Sequence, residues 1–160
     1  MLIVLEGIAF SFWLLLLCVL LIKDGPVGGV VFYEDDVKQR VVELGLITDE
    51  EIRKRSITSA IALFVPLLFV VPLLVYCVNG ADSFKDAFLQ MSTIYLIAGL
   101  FDRIFIDWYW VGHTKAWIIP GTEDLQPYIP KKTLIGKWLG TVAGFPLLAA
   151  IIAKIIELLF

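Results

Sequence analysis

Asp102, Arg103 and Asp107 stand together in an otherwise apolar segment, FDRIFIDWYW, that leads into a Trp-rich loop containing His113, Glu123 and Asp124. These residue types could do three kinds of chemistry. Arg103 and Asp107 are four apart, so on a helix they pair directly, and the charges could simply fix how helices and loop dock. The same carboxylates, with Arg103 as counter-charge or anion contact, could bind an ion or small solute at a site opening to the cytoplasm. Alternatively Asp102, Asp107, His113, Glu123 and Asp124 could serve as metal ligands or acid-base groups for lipid or phosphate chemistry. The metal reading has suitable residue types without a recognisable ligand spacing. A single histidine rules out bis-histidine haem ligation within one subunit. No motif specifies a cofactor, so cofactor and metal are unknown at this stage.

The elements that must position these side chains follow from composition. Of 160 residues, 59% are hydrophobic and 18% charged, which leaves too little polar surface to cover a soluble globule. A membrane-spanning helix needs roughly 20 apolar residues. Windows at about 2–22, 57–78, 87–110 and 134–159 meet that length. The expected fold is all-α: a polytopic transmembrane four-helix bundle forming one integral membrane domain, with connections at about 23–56 and 111–133. The first window lacks a basic leader and contains Glu6, so it reads as a retained span rather than a secretory signal. Eleven of the 13 lysines and arginines fall in or beside those two connections, the exceptions being Lys85 and Lys154. The positive-inside bias then places both termini outside a bacterial inner membrane. Cys18 and Cys77 fall at opposite ends of their spans, too far apart for a disulfide.

Within the first connection, Gly28-Gly29 is expected to leave a loose exit from span one. Val37, Val41 and Leu44 recur at helical spacing and Gly45 is placed to stop that helix. Thr48 and Glu51 form a capping-box pattern flanked by Ile47 and Ile52. Together they predict a short amphipathic helical hairpin on the cytoplasmic membrane surface, with Arg53, Lys54 and Arg55 at headgroup level. Eight acidic against six basic residues between Lys23 and Arg55 argue against a nucleic-acid partner.

Pro66 and Pro72 should kink span two, Asn79-Gly80 should turn the chain, and Asp82 or Ser83 should cap span three. Counting roughly 100° per residue along that span, Asp102, Arg103 and Asp107 share a side with Ser92, Tyr95, Gly99, Trp110 and His113. Ile94, Ile97, Phe101, Ile104, Phe105 and Trp108 fall on the other, predicting a protein- or water-facing polar side and a lipid-facing apolar side. Measured from Ala87 at about 1.5 Å per residue, Asp102 lies about 22 Å and Asp107 about 30 Å along the helix, near its cytoplasmic end. A polar pocket is expected there, where span three meets the loop. Pro120-Gly121 suits a type II turn, while Trp117 and Tyr128 read as interface anchors. Gly136, Gly140 and Gly144 repeat at four-residue spacing on span four, a close-approach stripe for packing within the bundle or for a homo-oligomer or membrane complex.

The D-x-x-x-x-D-W pattern at Asp102 to Trp108, with I-P-G-T-E at Ile119 to Glu123 and a following last span, resembles a family of small bacterial four-span membrane proteins. The resemblance covers about the last 60 residues. No activity attaches to that family, so the resemblance implies the architecture and no site role. The leading expectation is non-enzymatic: binding or passing an ion or small solute, with Asp102 and Asp107 as ligands. A membrane-embedded enzyme and a scaffold subunit are the alternatives.

Overall fold

A computed structural model describes residues 2–159, all in helices, turns and short connections. Five α-helical elements follow in chain order: α1 (Leu2–Ile22), α2 (Asp35–Glu43), α3 (Asp49–Val78), α4 (Phe84–Val111) and α5 (Lys131–Leu159). Of these α1, α3, α4 and α5 are long and apolar enough to cross a membrane.

Local chemistry explains the boundaries. Gly45, at φ 68°, ends α2, with the Gly45 N–H donating to the Val42 carbonyl and the Leu46 N–H to that of Val41; this is the paired arrangement that satisfies terminal carbonyls. Thr48 opens α3 with a complete capping box to Glu51, and Ile47 and Ile52 are both buried beside it. The expected hairpin is therefore present in altered form: its second arm is no separate surface helix but the first turns of α3, which runs unbroken from Asp49 to Val78. Ser83 caps α4 by accepting from the Asp86 N–H.

The two prolines of α3 widen its ladder instead of ending it. Pro66–Val70 and Leu74–Val78 are π-helical, a wider winding seen mostly as single turns. In that i→i+5 pattern the Leu67 carbonyl would look to residue 72, a proline without an N–H. The buried Tyr95 hydroxyl of α4 donates to it instead, at 2.6 Å.

The core has two parts. One joins the four long helices around α4, with Met91, Ile94, Tyr95 and Ala98 packed against Phe10 of α1, Val71 and Val75 of α3, and Ala149 and Ala153 of α5. Close approach is made by glycines of α1 and α4. A Cβ on Gly7 would come within 2.9 Å of Ile97, and one on Gly99 within 2.6 Å of Phe145 and 2.8 Å of Thr141. Gly136, Gly140 and Gly144 do not take part: a Cβ on any of them meets nothing within 4 Å. Small residues of α5 do face α4, but they are the alanines, because the glycine stripe lies on a different side of the helix.

The second part lies at the end where α1 finishes and α3 begins. Val30, Tyr33, Val37, Val41, Ile47 and Ile52 from the first connection pack with Trp117, Ile119 and Tyr128 from the second, and with Cys18 and Ile106. Two expectations are corrected here. Trp117 and Tyr128 are 1% and 6% exposed, core residues and not interface anchors. Gly28 and Gly29 lie buried in a 3₁₀ segment, Pro26–Phe32, where a Cβ on Gly29 would stand 2.7 Å from the Trp117 ring; the exit from α1 is tight because an indole fills it.

Candidate functional site

The charged end of α4 is π-helical from Asp102 to Val111. Arg103 and Asp107 are buried there, at 8% exposure each, while Ile104, Phe105, Trp108 and Tyr109 are exposed. The expected division into two sides holds for Arg103, Asp107, Ile104, Phe105 and Trp108. It fails at Ile94, which is fully buried, and at Ile97, which packs on Gly7, because α4 lies between α1 and α5 and is covered on more than one side; it fails also at His113, which is exposed beside Trp108.

Four charges form a chain. Arg103 donates to Asp102 and pairs with Asp107. Lys137 reaches across from α5, its Nζ 3.0 and 3.2 Å from the two Asp107 oxygens. The order Asp102, Arg103, Asp107, Lys137 alternates in sign and sums to zero. Reading α4 alone missed Lys137. The signal available was depth: it sits as close to the start of the fourth span as Asp107 does to the end of the third.

This chain forms one wall of a cavity of about 410 Å³. Leu14, Leu17, Cys18 and Leu21 of α1 line it, with Thr58, Ser59, Ala62 and Leu63 of α3 and Ile106 of α4; Tyr33, Trp117 and Ile129 come from the connections. The lining is predominantly apolar with one ionic wall. Tyr33 donates to the Trp117 carbonyl at 3.3 Å, and burial, reinforced by Tyr128, pushes the Tyr33 hydroxyl well above its ordinary pKa of 10.0, so it remains a neutral donor.

The expected pocket between α4 and the loop also exists, with a volume of about 500 Å³, but of the expected residues it holds only Asp107 and His113. His113 is exposed, stacks at a tilt on Trp108 and bonds that residue's carbonyl. Glu123 accepts from the Gly121 N–H at 2.9 Å, closing a turn in which Gly121 has φ 85°. Asp124 pairs with Arg40 of α2 at 3.3 Å. Of the five candidate metal ligands, Asp102 and Asp107 share Arg103 while His113, Glu123 and Asp124 are held elsewhere, and among the described residues no group of three or more His, Cys, Asp or Glu side chains converges to hold a metal ion. At the far end of α1, Glu6 accepts from the Asn79 side chain at 2.9 Å, a partner its sequence position did not indicate.

Compared with known proteins, the chain matches no family model, no curated protein and no solved structure.

Proposed function

We propose that this chain is a multi-pass protein of a bacterial inner membrane, with both termini outside, that binds a small amphipathic solute in the cavity between α1, α3 and α4 at its cytoplasmic end. One observation carries this reading: a cavity of about 410 Å³ has apolar walls from α1 and α3 and an ionic wall of Asp102, Arg103, Asp107 and Lys137. That size and lining suit small-molecule sites, where a few placed polar groups orient a mostly apolar ligand. A bare ion is less well served, because the four charges already neutralise one another and moving a further ion out of water is costly. Binding is favoured over passage. Beyond the charges the helices close on an apolar core containing Met91, Ile94 and Val75.

The test is native mass spectrometry of protein released gently from membranes. The parent should retain a small molecule, and Ser59→Trp or Leu63→Phe, each filling the cavity from α3, should lose it while keeping the parent's thermal unfolding midpoint. A parent that retains nothing, or folded variants that retain as much, would overturn the reading.

A further inference from the structure

The four charges of the ionic wall are not equally open. The side chains of Arg103 and Asp107 keep 10% and 7% of their surface accessible, those of Asp102 and Lys137 27% and 28%. The Nε and Nη1 of Arg103 and the Nε1 of Trp117 are enclosed, out of an occupant's reach. What the cavity presents is therefore the two ends of the chain, a carboxylate and an ammonium. Both line the 410 Å³ cavity and neither lines the adjoining one. Each end has bonding capacity to spare. Asp102 accepts from Arg103 through Oδ2 alone, and its Oδ1 has no hydrogen bond among the described residues without being one of the enclosed atoms. Lys137 spends two bonds on Asp107, and an ammonium has three to give. The mouth lies opposite in character. Of the lining residues, Leu20 of α1, Phe32 of the 3₁₀ segment and Thr58 of α3 are exposed, whereas Cys18, Ile106 and Trp117 are buried. The opening thus lies beside α1 and α3, on mostly apolar side chains that meet acyl chains when these helices span a bilayer.

We infer that the occupant is a phosphatidylethanolamine of the cytoplasmic leaflet, its ammonium donating to Asp102 Oδ1, its phosphate accepting from Lys137, and its acyl chains leaving between α1 and α3. This rests on reading the cavity as a ligand site in a membrane and goes further by naming the head. Two open ends of opposite sign match a head that carries both signs. The wall itself sums to zero, so an occupant with a net charge would bring an uncompensated charge out of water. A zwitterion does not. The amine class follows from the free carboxylate oxygen, which accepts hydrogen bonds: a primary ammonium has N–H groups to give and the quaternary ammonium of a choline head has none. Binding leaves the Arg103 pairs to Asp102 and Asp107 in place. A cavity of about 410 Å³ takes the head, and the exposed apolar mouth lets the chains remain in the bilayer.

The experiment titrates delipidated protein in detergent, by native mass spectrometry, with dioleoyl-phosphatidylethanolamine, the phosphatidylcholine and phosphatidylglycerol of the same chains, and glycerophosphoethanolamine, which has the head without the chains. The expected result is a saturable adduct with phosphatidylethanolamine, about tenfold tighter than with either other lipid, the equivalent of one charge-assisted hydrogen bond, and little binding of the chainless head. Asp102→Asn should bring phosphatidylethanolamine down to the level of phosphatidylcholine. A phosphatidylethanolamine with a diazirine in its acyl chain tests the mouth in the parent, independently of how that variant folds, and should label the segments holding Leu20 and Thr58. The inference is overturned by equal or tighter binding of phosphatidylcholine or phosphatidylglycerol, by a chainless head that binds as well as the lipid, by an unchanged preference in folded Asp102→Asn, or by labelling confined to other segments. The cavity reading survives any of these when Leu63→Phe still abolishes the adduct. If no probe binds, the inference falls; the cavity reading falls with it only when protein released from membranes also retains nothing.

Discussion

Lys137 grips Asp107 from another helix, with its Nζ within 3.2 Å of both carboxylate oxygens, and so joins α5 to the ionic wall that α4 builds. The two partners are unequal: the Asp107 side chain is 7% exposed and that of Lys137 28%. Removing Asp107 strands Lys137 and leaves the buried Arg103 only Asp102, whereas removing Lys137 leaves Asp107 its contact with Arg103. Asp107→Leu should therefore destabilise the fold by about 3–5 kcal/mol, the range for breaking a buried pair, and Lys137→Met by clearly less. Unfolding titrations in mixed detergent micelles give the order, and the reverse order would contradict the geometry.

The Tyr95 hydroxyl satisfies a carbonyl that Pro72 leaves without its usual partner. Tyr95→Phe should cost about 1–3 kcal/mol, as for other buried acceptors left unmade. The same substitution combined with Pro72→Ala should cost less than the two separately, because the restored N–H can return to the ladder. Strictly additive losses in a double-mutant cycle would detach Tyr95 from the proline.

Gly99 and Gly140 make opposite predictions. A methyl on Gly99 runs into Phe145 and Thr141, whereas one on Gly140 meets nothing. Gly99→Ala should destabilise by about 1–3 kcal/mol through overpacking. Gly140→Ala should be neutral or stabilising, since alanine exceeds glycine in helix preference by up to about 1 kcal/mol. Thermal unfolding of dilute protein compares them. Equal damage at both positions would mean that the α5 glycine stripe is covered by something outside this chain.

Alkaline pH should expose Tyr33. Its folded-state pKa is raised by burial, so its contribution to stability is fully present below the unfolded value of about 10 and fades as pH climbs past it, where the unfolded chain ionises first. Tyr33→Phe loses the bond to the Trp117 carbonyl, about 1 kcal/mol at neutral pH, yet its stability should fall less steeply above pH 10 than the parent's. Parallel profiles would indicate that the hydroxyl titrates freely.

Glu123→Gln and Asp124→Asn should leave retention of a small molecule in the cavity unaltered, since their partners are Gly121 and Arg40 and neither lines the 410 Å³ cavity. The loss of the exposed Arg40 pair should stay within about 1 kcal/mol. A loss of the retained molecule in either variant, read by native mass spectrometry, would return these carboxylates to the site.

What depends on neighbours in sequence could be read before any coordinates: the capping box at Thr48, the stop at Gly45, the Ser83 cap, the turn at Gly121, and the four apolar lengths. Arg103 with Asp107 belongs to the same class, being one helical turn apart. What failed depends on contacts between distant segments. Trp117 and Tyr128 have the amphipathic character of interface residues, and nothing near them in sequence announces Gly29 or Tyr33 as packing partners. A glycine stripe states that close approach is possible without saying with whom, and α5 uses Ala149 and Ala153 instead. The location of the cavity was missed because it needs α1 and α3, while the polar residues that suggested a pocket all lay on α4 and its loop.

The seating of the Trp117 ring over Gly29 also sets an order of events during synthesis. Val30, Val37 and Val41 leave the ribosome long before the residue that covers them, so a nascent chain carrying only its first three hydrophobic segments must hold that apolar surface bare, or shield it with a chaperone, until translation reaches Tyr128. Stalling between those points should yield a protease-sensitive intermediate, and completion of the second connection should be the step that seals it.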